Sequence, residues 1–382
     1  MAKKVKLNSK KKKKVNKEKL ISYIQLINTQ GVGSISFKRL IARYKDVDIA
    51  LKELSNKREL FSRSLAEKEL MLAEIKGVKI ITLEDDLYPY NLKQIEDCPP
   101  ILYALGNTDI LKNNNTLAIV GSRNASISAN KLAKNFGDFL SSHNITIVSG
   151  LARGIDASAH LGAINNSSST IAVLGTGIDI VYPKENERLY NEIKQNGLIL
   201  SEYPLGTRPQ ASNFPRRNRI VSGLSKGVLV IEAGLQSGSL ITAHLALEQG
   251  RDIYAIPGAP FDGRTSGCNK LIKEGAILIE TPQDVIDNFS FDDKEFVINK
   301  SKKSLNKELF EDLLDNNKIN LDIADENDLH QKLLSLLSEQ GEDVDDIIRS
   351  LSISAEETLM AITELELDGK LIRLPGNKVA KS

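Results

Sequence analysis

The fold is decided by the segment 226–258, KGVLVIEAGLQSGSLITAHLALEQGRDIYAIPG. It contains an apolar run (KGVLVIEA), then a helical pattern (SLITAHLALEQ), then a second apolar run (DIYAIPG). Continuous apolar runs, as opposed to strict alternation, are typical of parallel strands that helices cover on both faces. The segment therefore predicts one strand–helix–strand unit of a parallel sheet.

The same alternation extends over residues 78–289. Further predicted strands are TLAIVGSR, ITIVSGLA, STIAVLGT, GLILSEY and AILIE, and helical patterns such as SANKLAKNFGDFLSSH and KENERLYNEIKQN separate them. Repeated strand–helix units with apolar strands indicate a sheet that is wound in both directions. We predict an α/β domain over 78–289 with a doubly wound, extended Rossmann-like parallel sheet.

Three other regions flank this domain. Residues 20–77 contain four short helical patterns and predict a small all-helical domain, in which the turn at 31–33 (Gly-Val-Gly) resembles that of helix-hairpin-helix modules. Backbone N–H groups at such a turn can approach a phosphate, although the turn can also be a plain connector. We interpret 290–325 as a linker and 326–382, with three helical patterns and a hairpin, as a winged-helix-like domain.

The net charge of +1 is unevenly distributed along the chain. Residues 1–19 contain ten lysines and one acid, Glu18, so this segment carries +9 and the rest of the chain carries −8. We interpret 1–19 as a basic disordered arm. Such an arm is typical of transient contact with a polyanion such as nucleic acid, and a solubilising tail without a partner is the open alternative.

Composition argues against several functional classes. Cys98 and Cys268 lie far apart, which favours a reducing compartment over a disulfide framework or a zinc site. No apolar run approaches the roughly 20 residues of a membrane span, and the lysine-rich N-terminus lacks the apolar core of a signal peptide. We expect a cytoplasmic protein without a membrane contact, a metal or another cofactor.

Small residues and arginines follow several predicted strands. Because ligands of doubly wound sheets bind beyond the carboxyl ends of the strands, these loops are candidate anion-binding sites, although glycine-serine turns can also serve packing alone. The candidates in these loops are Gly121, Ser122, Arg123, Gly150, Arg153, Gly154, Ser237, Gly238 and Ser239. GTGIDI lacks the third glycine of a dinucleotide fingerprint and no GxxxxGK[ST] loop exists, so an NAD enzyme or a P-loop ATPase is disfavoured.

A basic cluster lies in NFPRRNRIVSGLS, residues 213–225. Cations at the start of a helix oppose the helix dipole, so the cluster predicts an anion nearby. We expect this segment to face an anionic ligand, with salt bridges to nearby acids as the alternative. Phe214 can stack on a nucleic-acid base or pack into the core. The candidate residues are Phe214, Arg216, Arg217, Asn218 and Arg219.

One acid, Glu232, directly follows an apolar strand. It can act as a catalytic base, or it can accept hydrogen bonds from backbone N–H groups or pair with an arginine. GLQSG does not match a nucleophile elbow and no His-Asp pair accompanies it. We favour the structural role and predict a binding site without a reaction centre.

Several of these motifs together resemble the DprA/Smf family, the DNA-processing proteins of bacterial natural transformation. The resemblance spans roughly residues 80–290, and the motifs occur in the family's order. They are AIVGSRNAS, VSGLARGIDASAH, AVLGTGIDIVYPKEN, LILSEYPLGTRP, NFPRRNRIVSGLSKGVLVIEAGLQSGSLITAHLALEQGRDIYAIPG and SGCNKLIKEGA.

The resemblance implies a function that spacing alone does not show. Family members bind and protect single-stranded DNA in a positively charged pocket, help load the RecA recombinase, dimerise through the α/β domain and are not known as enzymes. By position, Ser122 and Arg123 match the family's phosphate-contacting Gly-Ser-Arg motif. The segment that holds Phe214, Arg217, Asn218 and Arg219 matches its basic pocket.

Two other functions remain as alternatives. A nucleotide-processing Rossmann hydrolase similar to the lonely-guy phosphoribohydrolases would use a PGGxGT loop and a catalytic glutamate, and here EAGLQSGSLITA lacks that loop. A protein-only scaffold would use the arginines for salt bridges.

The C-terminal segment 326–382 is predicted not to bind duplex DNA. It contains six basic and twelve acidic residues, and its predicted recognition helix, 354–369, has no Lys or Arg. Acidic side chains repel phosphates in the major groove, so we expect a protein-binding or assembly role. Electrophoretic titration of the isolated segment with duplex DNA checks this, and micromolar affinity at physiological salt would contradict it.

Overall fold

The computed structural model describes residues 16–167 and 169–291, and parts of 333–381. The described C-terminal residues are 333, 342–344, 347–348, 358, 361–362, 365–366, 370–374 and 378–381. The chain divides into two compact units, and residues 16–291 belong to the first. Most of the predicted arm and linker therefore lies outside the described residues.

Four helices form the predicted N-terminal helical region. They are α1 (Lys17–Asn28), α2 (Ser34–Tyr44), α3 (Val47–Ser55) and α4 (Arg63–Ile75). Their apolar faces pack around fully buried Tyr23 and Phe37, whose ring centroids are 5.2 Å apart. The prediction of a short-helix region is confirmed.

The predicted boundary of the disordered arm at residue 19 is wrong, because helix α1 begins at Lys17. The side chain of Asn16 caps this helix by accepting a hydrogen bond from the N–H of Lys19 at 2.8 Å. Lys17 and Lys19 then form ion pairs with Glu74 and Glu84 at 2.8 and 2.6 Å. These two lysines therefore stabilise the helical region.

A nine-stranded sheet follows, with strand order β1-β2-β6-β5-β4-β3-β7-β8-β9. The strands are β1 (Lys79–Thr82), β2 (Ile101–Gly106), β3 (Thr116–Gly121), β4 (Thr146–Ser149), β5 (Thr170–Leu174), β6 (Leu198–Ser201), β7 (Gly227–Ile231), β8 (Asp252–Ala255) and β9 (Ile277–Leu278). From β6 to β9 every neighbouring pair is parallel, as predicted.

The prediction of a parallel sheet is wrong at one edge. Strands β1 and β2 were not predicted, and β2 pairs antiparallel with both β1 and β6. Between β1 and β2 the chain forms only the four-residue helix α5 (Tyr90–Lys93). A parallel pair usually needs a long helical crossover, and this connection has none.

Helices cover both faces of the sheet. They are α6 (Ile127–Ser142), α7 (Ile155–Ala163), α8 (Glu187–Asn196), α9 (Asn213–Leu224), α10 (Gly238–Glu248), α11 (Ser266–Lys273) and α12 (Pro282–Asn288). In β3, Ala118 and Val120 face the core that includes α9 and α10, whereas Leu117 and Ile119 face the core of α6 and α7. Burial of alternate residues on opposite faces explains why the strands are continuously apolar and confirms the doubly wound fold.

The winding direction reverses between β3 and β7. From β3 the chain passes through β4 and β5 to β6, and it then returns to β7 on the other side of β3. Gly121 and Ile231, at the carboxyl ends of β3 and β7, are paired in register. The crevice outside such a reversal point is where doubly wound sheets bind ligands.

In the second unit a three-stranded sheet is described. Its order is β10 (Glu342–Asp343), β12 (Lys378–Lys381) and β11 (Leu371–Leu374), with both pairs antiparallel. The pair β11–β12 confirms the predicted hairpin. Much of the predicted helical pattern lies outside the described residues. Among the described residues of the chain, no helix is long and apolar enough to span a bilayer.

His160 is a fully buried histidine in α7. Its Nδ1 lies 2.7 Å from Thr170 Oγ1, and that hydroxyl donates to the Ile147 carbonyl at 2.7 Å, so we assign the ring proton to Nδ1. Burial, together with the positive charge of Arg217, lowers the pKa of His160 to about 3. The ring is therefore neutral throughout the physiological pH range.

This burial predicts a loss of stability on mild acidification. The unfolded chain protonates His160 below its ordinary pKa and the folded chain does not, so the free energy of unfolding falls as the pH falls. Between about pH 7.5 and about pH 5 the contribution of this group is about 2 kcal/mol. Chemical denaturation of wild type and His160→Gln over this range measures it. Equal losses in both proteins would contradict the assignment.

Candidate functional site

The loop after β3 lies at the reversal point of the sheet and contains Gly121, Ser122 and Arg123. The N–H of Ser122 donates to the Glu232 carbonyl at 2.8 Å, which ties this loop to the end of β7. A Cβ at Gly121 would lie 1.9 Å from the Ile231 carbonyl oxygen, so only glycine fits there. Gly121 thus has a packing role that places Ser122 and Arg123 at the crevice.

The loop after β4 packs directly against this first loop. Gly154 has a φ of 74°, and a Cβ there would lie 2.3 Å from the Ser122 carbonyl oxygen. The next N–H, of Ile155, donates to the same oxygen at 3.2 Å. The N-terminus of α7 is therefore fixed beside Ser122, as the sequence predicted for converging loops.

Two arginines of these loops are exposed. Among the described residues, Arg123 forms no ion pair within 4 Å, so its charge is available to a ligand. Arg153 is also exposed and lies 3.9 Å from Glu185, a long and solvent-screened ion pair. Arg123 is the better candidate of the two for holding an anion.

Glu232 accepts hydrogen bonds from the start of α6. Its Oε1 accepts from the N–H of Ser126 at 2.9 Å, and its Oε2 accepts from the Ser126 hydroxyl at 2.5 Å. Its backbone has a φ of 50°, which few non-glycine residues adopt. Glu232 thus forms the hydrogen bond to a backbone N–H that the structural role predicts.

Arg217 is buried and braces the carboxyl ends of two strands. Its Nη1 donates to the carbonyls of Gly150, at 2.5 Å, and of Val173. Burial lowers the pKa of Arg217 to about 10, while nearby Asp156 acts in the opposite direction. Asp156 in turn accepts from the N–H groups of Gly150 and Ala152 at 3.0 and 3.3 Å.

Arg219 is buried in a second ionic cluster. Its guanidinium pairs with Asp97 at 2.9 Å and with Glu202 at 2.7 Å. The nearby carboxylates, and above all that of Glu202, raise the pKa of Arg219 despite its burial. The sequence predicted an anion near this cationic helix start, and the carboxylates of Asp97 and Glu202 provide negative charge there.

These contacts correct the prediction that all three arginines face an external anion. The side chains of Arg217 and Arg219 are 4% and 5% exposed, because carbonyl and carboxylate oxygens of the protein surround them. Arg216 remains 53% exposed, with Glu202 at 3.8 Å. Of the cluster, Arg216 alone presents its charge to solvent.

The aromatic residue of the cluster, Phe214, is half-buried. Its ring lies 5.2 Å from that of Tyr182, and a Cβ at Gly175 would be 2.8 Å from it. Tyr182 is 44% exposed. Asn218 accepts from the Arg217 Nε at 3.3 Å and is also half-buried. Phe214 and Tyr182 therefore form a partly open aromatic pair above β5.

The residues 237–239 begin helix α10 on the other side of the reversal point. The Ser237 hydroxyl caps the helix by accepting from the N–H of Ser239 at 3.4 Å. Gly238 is exposed and a Cβ there meets nothing within 4 Å. This group follows β7, whereas Gly150 and Gly154 follow β4 on the opposite side of β3.

Sequence reasoning missed four residues that organise the site: Asp97, Asp156, Tyr182 and Glu202. Asp156 lies in the first turn of α7, and Glu202 directly follows β6. Both positions are ones at which the sequence could have suggested a buried acid. The ion pair between Asp97 and Arg219 joins residues that are 122 positions apart and leaves no local pattern in the sequence.

Comparisons with known proteins agree with this architecture. A family model described as DNA recombination-mediator protein A matches residues 79–290, and a DprA winged helix domain model matches 321–377. DNA processing protein DprA of Streptococcus pneumoniae is 48% identical over 218 residues, covering 57% of this chain and 77% of that protein. Protein Smf of Escherichia coli is 36% identical over 320 residues, covering 84% and 82%.

The chain belongs to the DprA/Smf family. The crystal structure of DprA from S. pneumoniae superposes with a TM-score of 0.59 at 37% identity, covering 71% of this chain and 96% of that one. A Helicobacter pylori structure, described as showing the single-stranded DNA binding mode of its DprA, has a TM-score of 0.51 at 32% identity over 55% of this chain and 95% of that one. As a DprA/Smf member, the protein has the predicted Rossmann-like domain and the predicted winged-helix domain.

The buried and the exposed arginines predict losses of stability of very different size on substitution. Arg217→Ala removes the buried cation whose charge acts on Asp156 and the hydrogen bonds that it donates to two carbonyls, so we expect the free energy of unfolding to fall by about 3–5 kcal/mol. Arg123→Ala removes an exposed side chain and is expected to change it by less than about 0.5 kcal/mol. Urea unfolding of both variants provides the measurement. Equal stability of the two variants would contradict the assignment of a bracing role to Arg217.

Proposed function

We propose that this protein binds single-stranded DNA at the reversal point of the sheet, with Arg123 as the principal phosphate contact. The observation that carries this is an exposed arginine without an ion-pair partner among the described residues, fixed by Gly121 and Gly154 beside the N-terminus of α7. A helix start and an arginine together favour a phosphate. The relative from H. pylori binds single-stranded DNA, which supports the same ligand here.

The neighbouring groups suit a strand of DNA better than a small anion. Arg216 offers a second exposed charge on α9, and the Phe214–Tyr182 pair offers ring surface on which a base can stack. Stacking of one base contributes about 1–3 kcal/mol and tolerates every base. Phosphate contacts carry no sequence information, so binding would be independent of sequence.

The further biological roles are part of this proposal. By analogy with its family, the protein would protect incoming single-stranded DNA during competence and natural transformation, load RecA onto it and act as a homodimer in the cytoplasm. The basic segment before residue 16 would add non-specific electrostatic attraction.

We propose that the site does not catalyse a reaction. Glu232, the acid that directly follows β7, accepts two hydrogen bonds from Ser126. A carboxylate held in this way supports the loop geometry. Release of a free base from a nucleoside monophosphate, lost in Glu232→Ala, would favour the hydrolase alternative.

Fluorescence anisotropy with labelled single-stranded and duplex oligonucleotides tests the proposal. We expect wild type to bind the single strand more tightly than the duplex. We expect Arg123→Ala to weaken binding of the single strand at least about tenfold and to reduce the slope of the logarithm of the binding constant against the logarithm of the salt concentration by about one. Arg63→Ala is the matched control, since Arg63 is similarly exposed on α4 of the helical region.

Each alternative predicts a different pattern in the same experiment. Binding that survives Arg123→Ala but is lost on deletion of residues 1–15 would assign DNA binding to the arm. Equal weakening by Arg123→Ala and Arg63→Ala would indicate a general charge effect and contradict the proposed site.

A further inference from the structure

The loop after β8, residues 256–265, presents an aromatic side chain to solvent. Phe261 in this loop is fully exposed. A single exposed apolar residue is ordinary on a protein surface, but here two more follow neighbouring strands at the same edge of the sheet. Leu235, after β7, is 53% exposed, and Ile127, after β3, is 79% exposed. Three adjacent strands, β3, β7 and β8, are therefore each followed by a large exposed apolar side chain.

Hydrogen bonds brace the loop that carries Phe261. At its base, the Asn269 side chain of α11 donates to the Gly258 carbonyl and accepts from the Gly258 N–H, both at 3.0 Å. Just after Phe261, the Asp262 carboxylate accepts from the N–H, Nε and Nη2 of Arg264 at 3.0, 3.2 and 3.0 Å. The loop thus holds Phe261 in a defined position without burying it.

This position lies on the far side of Arg123 from the aromatic pair of the candidate functional site. The strand order is β5-β4-β3-β7-β8, and the carboxyl ends of β3, β7 and β8 are paired in register. Arg123 follows the central strand β3, the Phe214–Tyr182 pair lies above β5, and Phe261 follows β8. Neighbouring strands are about 4.8 Å apart, so each aromatic position is about 10 Å from β3, in opposite directions.

We propose that Phe261 is a second base-stacking platform of the DNA site, and that one strand crosses the carboxyl edge from the Phe214–Tyr182 pair over Arg123 to Phe261. This inference rests on the proposed function. Aromatic side chains combined with phosphate contacts are how proteins hold single strands without reading sequence. Four strand spacings amount to roughly 19 Å and stacked nucleotides rise about 3.4 Å each, so about six nucleotides or fewer fill this path.

The surface around Phe261 suits a nucleic acid better than a protein partner. A stable protein interface buries about 800 Å² on each partner, and three separate apolar side chains supply only part of that area. One ring is sufficient for one base. The loop after β7, which lies between those after β3 and β8, also carries the hydroxyl groups of Ser237 and Ser239. Serine hydroxyl groups commonly donate to phosphate oxygens.

A stacking contact and a phosphate contact differ in their salt dependence. The ring of Phe261 carries no charge, so Phe261→Ala is expected to weaken single-strand binding about fivefold or more and to leave the salt slope unchanged. Arg123→Ala is expected to lower that slope by about one. Phe261→Leu keeps an apolar side chain and removes the ring, so we expect it to bind as weakly as Phe261→Ala.

A tryptophan at this position reports stacking directly. The chain contains no tryptophan, so Phe261→Trp introduces a single indole and keeps an aromatic ring. We expect the full-length variant to bind oligo-dT as wild type does, with its indole fluorescence quenched by the stacked base. Tyr90→Trp is the matched control, since Tyr90 is 63% exposed and its neighbour Asn91 contacts Thr116 at the amino end of β3. Its fluorescence is expected to stay unchanged.

The outcomes separate this inference from the proposed function. Unchanged fluorescence of Phe261→Trp on binding, with Arg123→Ala still impaired, overturns the second platform and leaves the proposed function intact. Quenching that persists at the same affinity when Arg123→Ala is added supports the contact at Phe261 and overturns Arg123 as the principal contact.

Two further results would overturn the stacking role. Wild-type affinity of Phe261→Leu would show that the ring is not required. Unchanged DNA affinity of Phe261→Ala, together with a change of its oligomeric state in analytical ultracentrifugation, would assign the loop to a protein contact.

Discussion

The buried guanidinium of Arg217 is the constraint on which the rest of the site depends. It donates to the carbonyls that end β4 and β5, which ties helix α9 to the carboxyl edge of the sheet. A Cβ at Gly150 would lie 2.4 Å from its Nη2, so this contact also explains a glycine of the predicted loops. Asp156 balances its charge, and His160 stays neutral beside it. One desolvated cation thus fixes the relative positions of a helix and two strand ends.

The separation between bracing and exposed arginines has functional consequences. Arg217 and Arg219 are held by oxygens of the protein, so an incoming phosphate would have to displace those oxygens in order to pair with them. Arg123 and Arg216 are exposed, and both can approach an anion while the fold stays unchanged. A pocket of this kind needs only a few free charges, because the buried ones supply rigidity and the exposed ones supply attraction.

Much of the fold could be predicted from the sequence, and the reasons are local. Apolar runs such as 227–231 reveal buried parallel strands, and glycines such as Gly121 and Gly154 reveal close backbone approaches at their ends. The direction of β2 could not be predicted, because a six-residue apolar run is compatible with either orientation. Nor could the burial of Arg217 and Arg219, since it depends on carbonyls and acids that are distant in sequence. Local patterns located the site, and tertiary contacts decided which of its charges are free.

Electrostatics limits how such a site can attract DNA. Beyond residue 19 the chain carries a net charge of −8, so the body as a whole repels a polyanion. At physiological ionic strength charges are screened beyond about 8 Å, and a strand near the sheet edge therefore responds to the local field. That field comes from the exposed guanidinium groups of Arg123 and Arg216. The net charge of the chain therefore does not decide whether a strand can approach, because the few exposed cations nearest to it dominate the field that it meets.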